Sequence, residues 1–494
     1  MPADNPQADA PDAPQRPIPF GIDADTGLPL NGIDSATLEA FKSSPLETAL
    51  SPKILKDKAD PDKAHFGTTS EVDPNELDQA GWAVIFAPSA DRKIRDAFQP
   101  LLDYRKKQAG SDKLFKIFEG AGGCQKGDTA SDWLARMGIR QDVVDPQNGV
   151  PYYVLIVGPP DEIPFEFQYG LDLYWAVGRV WFPTAQEFRN YAEAVIQYET
   201  MKAPPTSRQM AMFATRQDPA TQLSHDQLVQ PMVTGAGNAY GPVGSKQNYA
   251  IQPFLGKAAD KQALHNIFSG SMPNGPPAFL LTASHGMRYN SGDPRQAGNQ
   301  GALLCQDWPG QGGAKPEFYY AGADLPANAK VHGLIHFMFA CYGGGCPEFD
   351  DFDQKDKTPA RIAPQPMLAR LPQALLGSEG GALAVLAHVE RAWACSFRLG
   401  DNPQAQGFRD VISQIMQGQR LGQATDKFNM RWAGLSTELS DLLRKTSIIE
   451  SMGNTLSEAE QNVLANKWVS CDDARNYVLF GDPAVRLRKD MPQL

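Results

Sequence analysis

Phe279-Leu-Leu-Thr-Ala-Ser-His285-Gly286 and Phe337-Met-Phe-Ala-Cys341-Tyr-Gly-Gly-Gly345 decide the reading of this chain. Each is an apolar run of strand length that stops at a chemically active side chain followed by glycine. Runs of this kind suit strands buried on both faces, as in a parallel sheet. In an open α/β sheet, ligands bind at the carboxyl ends of the strands. If the two strands are parallel neighbours, His285 and Cys341 stand together at one sheet edge.

That pairing has a chemical logic. A free thiol, with a pKa of about 8.5, is only partly ionised at neutral pH, and an imidazole beside it supplies first a base and then an acid. An oxyanion needs backbone N–H donors, and glycine lets a carbonyl come close. The amides of Gly286 and Cys341 are the candidates for that oxyanion hole. Taken singly, a strand-end cysteine is usually a small buried hydrophobe and a single histidine a structural residue. The joint pattern carries the weight.

Outward from these runs, strands and helices alternate, which predicts an α/β fold with parallel-rich sheets flanked by helices. Gly81-Trp-Ala-Val-Ile-Phe86, Tyr152-Tyr-Val-Leu-Ile-Val157, Trp175-Ala-Val-Gly178 and Val180-Trp-Phe182 read as strands, with helices at 91–107, 130–137 and 185–199. After a mixed stretch at 201–255 come a helix at 258–268, the His285 strand, a loop-rich insert at 287–329 and the Cys341 strand. A helix at 366–377, the strand Ala382-Leu-Ala-Val-Leu-Ala-His-Val389, helices over much of 404–466 and the strand Tyr477-Val-Leu-Phe480 follow. A chain of 494 residues exceeds one ordinary core, so two side-by-side α/β subdomains are expected, 76–250 without the site and 251–494 with it. Residues 1–19, rich in Pro, Ala and Asp, read as a disordered tail. Residues 20–75 read as an extension packed on the body, with a helix at 34–43.

Composition narrows the function. The net charge is −11 and no basic stripe appears, which argues against nucleic acid or anionic membrane as partner. No apolar run reaches the about 20 residues of a membrane span. The N-terminus lacks the basic and apolar regions of a secretory signal, and the six cysteines form no disulfide framework, so the expected compartment is the cytoplasm. No P-loop, Gly-x-Ser-x-Gly or Gly-x-Gly-x-x-Gly is present. No zinc-ligand set has the required spacing, although His332 and His336 lie four apart. Glu348-Phe-Asp-Asp-Phe-Asp-Gln-Lys-Asp356 is oxygen-rich, as Ca²⁺ loops are, but lacks the EF-hand glycine and reads first as an exposed acidic loop. No cofactor is expected.

An apolar block ending in His-Gly, followed by a second ending in Ala-Cys, resembles the clan CD cysteine peptidases: caspases, legumain, gingipain, clostripain, separase and CHAT-domain proteins. The gingipain and CHAT branches are the most similar. Tyr153-Val-Leu-Ile-Val-Gly158-Pro-Pro-Asp-Glu-Ile-Pro164 with Trp175-Ala-Val-Gly-Arg179 resembles the first gingipain subdomain. Gly380-Gly-Ala-Leu-Ala-Val-Leu-Ala387 resembles the strand after the nucleophile helix, and Phe480-Gly-Asp-Pro-Ala-Val-Arg-Leu487 the end of these peptidase domains. The resemblance covers about 150–490.

It implies a cysteine endopeptidase acting on protein or peptide substrates. Cys341 would attack the scissile carbonyl, His285 would protonate the leaving amine, and a thioester acyl-enzyme would form. No third member of the site is named. In this clan a pocket beside the nucleophile strand takes the P1 side chain, the one before the cut. Glu390, after the third strand, and Asp293 are candidates to pair with a basic P1, with Trp393 as an apolar wall. Glu390 and Arg391 read equally well as solvated charges. The chain departs from the clan in following its cysteine with Tyr-Gly-Gly-Gly-Cys346. Two alternatives stay open, a catalytically silent caspase-like binding module and a cysteine hydrolase of small amides or esters.

Overall fold

The apolar runs become neighbouring strands of one sheet. The computed structural model describes residues 17–43, 67–236, 240–355 and 358–494. Ten strands form the central sheet: β1 Trp82–Phe86, β2 Phe115–Phe118, β3 Tyr153–Val157, β4 Ala176–Val180, β5 Ser207–Ala214, β6 Ala250–Leu255, β7 Pro277–Ala283, β8 Ile335–Phe339, β9 Ala384–His388 and β10 Tyr477–Gly481. Their order across the sheet is β2-β1-β3-β4-β10-β9-β8-β7-β5-β6. This is the mixed α/β, parallel-rich architecture expected.

The sheet has two halves that run in opposite directions. β10 is parallel to β4 and antiparallel to β9, and every other pairing is parallel. The two halves are therefore joined edge to edge through β10 in one sheet. The boundary expected at 250/251 does not follow the sheet. β5 and β6, before that boundary, lie beside β7 in the half that carries His285 and Cys341, whereas the C-terminal β10 closes the other half. Ser207-Arg-Gln-Met-Ala-Met-Phe-Ala214 has no β-branched residue and weak strand propensity. Burial between β7 and β6 makes it a strand.

Every residue of β1, β3, β4, β7, β8, β9 and β10 is buried, because helices and loops cover both faces. The Phe480-Gly-Asp-Pro run closes the first half for an electrostatic reason. Asp482 accepts from Trp82 Nε1 at 2.9 Å and pairs with fully buried Arg105 at 2.7 Å, which also holds Glu199 at 2.7 Å. A buried arginine persists only when such partners offset its desolvation.

The N-terminal residues differ from expectation. Residues 1–16 and 44–66 lie outside the described residues, but 17–19, read as disordered, are seated in a groove. The segment 17–43 crosses the second half of the sheet and ends in the helix Ser35–Ser43, where the Phe41 ring stacks on Trp468 at 4.0 Å.

Candidate active site

Register sets the site. Phe339 of β8 pairs with Ala283 of β7, and each strand runs two residues further to Cys341 and His285. The two residues therefore stand level at the carboxyl edge. β9, on the other side of β8, delivers residues 390–393 to the same edge, and β5, beyond β7, delivers the turn that begins at Asp218. Four adjacent strand ends thus supply the site.

Asp218 is the residue the sequence reading missed. Its Oδ2 lies 2.6 Å from His285 Nε2. Its Oδ1 caps the helix Pro219–Leu223, accepting from Thr221 N at 2.9 Å and Thr221 Oγ1 at 2.8 Å. Burial works against charge on Asp218. The hydrogen bond and charge of His285 and the Thr221 donors overcome it and hold the carboxyl at about 2. A carboxylate accepting from Nε2 fixes the tautomer with the proton there. His285 Nδ1 is left buried and without a hydrogen-bond partner. The signal was present in Asp218-Pro219-Ala-Thr221, an N-cap followed by proline at N1. It went unread because β5 itself was not recognised.

Cys341 is fully buried, and burial pushes its thiol up to about 12 against the opposing effects of the Ala392 amide and the Arg391 charge. Its Sγ contacts the 392 peptide on both sides, donating to Ala392 O at 3.6 Å and accepting from Ala392 N at 3.3 Å. Two backbone donors meet beside it. Gly286 N and Cys341 N both donate to one oxygen, the carbonyl of Phe20, each at 3.0 Å. That is the distance an oxyanion hole requires. Glycine at 286 is obligatory for a steric reason, since a Cβ there would overlap the Cys341 carbonyl oxygen.

The structure thus brings together His285, Gly286 and Cys341, and adds Asp218. It places the other candidates differently. Trp393 borders the groove with its main chain, while its indole packs away on Phe352, ring centroids 5.0 Å apart. Glu390 is buried at a φ of +70°, and its carboxyl accepts from Asp351 N at 3.3 Å. Burial, together with Asp351 and Asp350, raises its pKa well above the usual carboxylate range. Asp293 pairs with Arg295 at 2.6 Å in the loop that reaches Asp25. Neither carboxylate is bonded to Cys341 or His285, and each has the partner just named.

The acidic run after Cys341 is a hairpin strand, Phe349–Lys355, rather than an exposed loop. Glu348, Asp350 and Asp351 are engaged by Arg361, Arg391 and Arg475 at 2.5, 2.6 and 2.8 Å. Among the described residues no group of three His, Cys, Asp or Glu side chains is arranged to hold a metal. No helix among them is long and apolar enough to cross a membrane. Cys346 is buried where Gly345–Cys346 pairs with Met367–Leu368.

Among solved structures the chain is similar to gingipain R, the Arg-specific cysteine proteinase, with a TM-score of 0.49 and 13% identity over 86% of this chain and 81% of that one. It is similar to a chain described as a protease, with a TM-score of 0.47 and 15% identity over 84% and 80%. It is also similar to the complex of pro- and mature domains of Porphyromonas gingivalis RgpB, with a TM-score of 0.46 and 13% identity over 83% and 80%. At these identities the likeness concerns the course of the chain alone. No protein-family model and no curated protein matches it.

Proposed function

We propose that the protein is a cysteine endopeptidase in which Cys341 is the nucleophile and His285 the proton carrier. The observation that carries this reading is the pair of backbone donors, Gly286 N and Cys341 N, converging at 3.0 Å on a peptide carbonyl beside the thiol. A thiol, a histidine with a free Nδ1 and two amides on one carbonyl together supply what acyl transfer needs.

His285 Nδ1 takes the thiol proton as Sγ bonds the carbonyl carbon. The oxyanion is held by the amides of 286 and 341. As the tetrahedral adduct collapses, the imidazolium returns the proton to the leaving amine. Water then releases the acyl group from the thioester by the reverse sequence. Asp218 acts through His285 as a positioning residue. Its charge favours the imidazolium and its hydrogen bond holds the ring.

The substrate is a protein or peptide in extended form. Six free cysteines support a reducing compartment, in keeping with the cytoplasm. The test is mass spectrometry of a peptide mixture incubated with the wild type and with Cys341→Ala. New termini made only by the wild type support the reading. Equal cleavage by both, or none by either, contradicts it and leaves a silent binding module or a small-molecule hydrolase.

A further inference from the structure

The carbonyl in the oxyanion hole belongs to the chain's own N-terminal segment. Residues 18–20 run antiparallel to 392–394. Phe20 N donates to Ala392 O at 2.8 Å, Ala394 N donates to Ile18 O at 3.0 Å, and Pro19 bridges Trp393. An extended peptide added to a strand edge is a common mode of substrate recognition. Beyond Phe20 the chain continues as Gly21–Asp23, paired in parallel with Gly286–Arg288. The segment therefore crosses the site as a bound peptide does, with the Phe20–Gly21 bond at the nucleophile. A Cβ on Gly21 would sit 2.8 Å from Cys341 Cβ and 2.9 Å from Sγ.

The Phe20 side chain shows what the adjoining pocket accepts. It is wholly buried, with its ring centroid 4.9 Å from Phe339, 5.8 Å from Phe397 and 6.3 Å from His285. Two phenyl rings and the His285 ring thus face it, and a pocket with such walls gains from a large apolar side chain and from ring-to-ring contacts. Burying a lysine or arginine against those rings would carry the cost of desolvating its charge. Upstream, Pro17 and Ile18 line a cavity whose other walls include Ser396, Phe408, Arg431 and Ser470, so the groove continues away from the cut. Downstream, the segment is clamped by Arg295 to Asp25 at 2.6 Å and by Arg391 to Asn31 O at 2.7 Å.

We propose that residues 18–23 are the enzyme's own substrate: the site cleaves after a large aromatic side chain, and its first cut is intramolecular, between Phe20 and Gly21. The inference rests on the peptidase reading above and fixes the P1 class that reading leaves open. Cys341 Sγ bonds the Phe20 carbonyl carbon, and the thiol proton passes through His285 to the Gly21 nitrogen as the C–N bond breaks. Water then attacks the thioester, which leaves a Phe20 carboxylate and regenerates the thiol. Residues 1–20 are freed and the 392–394 edge opens to a second substrate. Gly21–Asp23 stays paired with Gly286–Arg288, so the first substrates admitted are those with a small leaving group.

The test follows the intact mass of the full chain at neutral pH, alongside Cys341→Ala, Phe20→Tyr and Phe20→Asp. It also measures turnover of two reporters, Ile-Pro-Phe and Ile-Pro-Arg coumarin amides. The expected result is a species beginning at Gly21 from the wild type and from Phe20→Tyr, at least ten-fold less from Phe20→Asp, and none from Cys341→Ala. The Phe reporter is expected to turn over at least ten-fold faster than the Arg reporter, a comparison that holds whether or not the Phe20 variants fold. A wild-type chain that stays whole at 20–21, or faster turnover of the Arg reporter, overturns the inference. In both of those cases Cys341-dependent turnover of either reporter leaves the peptidase reading standing. Absence of any Cys341-dependent cleavage, of the chain or of a reporter, defeats both.

Discussion

Replacing Asp218 by asparagine separates its two jobs. Asn is as good an N-cap as Asp, so the helix Pro219–Leu223 keeps its cap from Thr221 donors. What is lost is the charge 2.6 Å from His285 Nε2. The drop of the Asp218 carboxyl from 3.8 to about 2 measures how strongly its charged form is favoured in place. At 1.36 kcal/mol per unit this is about 2 kcal/mol. The carboxyl is mostly buried, so solvent screens little of it. The shift is the net of burial, His285 and the Thr221 donors, and the His285 share acts on the imidazolium that forms during acyl transfer. A share on the order of 1–2 kcal/mol corresponds to a loss of about ten- to 30-fold in kcat/KM, carried by kcat with KM unchanged. The assay is steady-state turnover of a reporter peptide from pH 5 to 9, with thermal unfolding in parallel. Asp218→Glu is expected to recover part of the rate and Asp218→Asn none, with the midpoint of unfolding little moved. An Asp218→Asn enzyme as fast as the wild type across the whole pH range would refute the positioning role and leave Asp218 as a helix cap.

Arg105→Met leaves Asp482 and Glu199 as buried charges without their cation, and is expected to lower stability by about 3–5 kcal/mol in urea unfolding. Gly286→Ala drives a methyl group into the Cys341 carbonyl, so reporter turnover is expected to vanish together with a loss of about 1–3 kcal/mol or more in stability. His336, buried against Thr282 Oγ1 at 3.0 Å, is pushed by burial down to about 3. Between that value and the unfolded value of 6.5 the unfolded chain binds the proton and the folded chain does not. The stability of the wild type therefore falls as pH drops through this window, and urea midpoints for His336→Gln are expected to fall less between pH 7 and pH 5.

Much of this was legible in the sequence because the site sits on the most patterned part of the chain. β7 and β8 are apolar throughout and end two residues before the reactive side chains, so length and composition alone marked them. The same regularity exposed β1, β3, β9 and β10. What escaped was set by tertiary context. β5 carries Met and Ala, which are indifferent strand formers, and only its place between β7 and β6 makes it a strand. Missing it hid Asp218, four residues beyond its end. Glu390 reads as a specificity candidate because it follows the right strand. No local pattern shows that its φ is +70° or that its carboxyl accepts from Asp351 N. Residues 17–19 read as part of a disordered tail, and Phe20 as the start of the extension that follows it. Their order comes from the 392–394 edge, which is about 370 residues away along the chain.

The proposed nucleophile is Cys341, with its acyl-enzyme held against the 286 and 341 amides. Peptide mapping after reaction with a peptidyl acyloxymethyl ketone tests it most directly. The prediction is one adduct, on Cys341, formed at least ten-fold more slowly in His285→Ala and absent from Cys341→Ala along with all proteolysis. An adduct on Cys346 or Cys395 instead, with proteolysis surviving in Cys341→Ala, would contradict it.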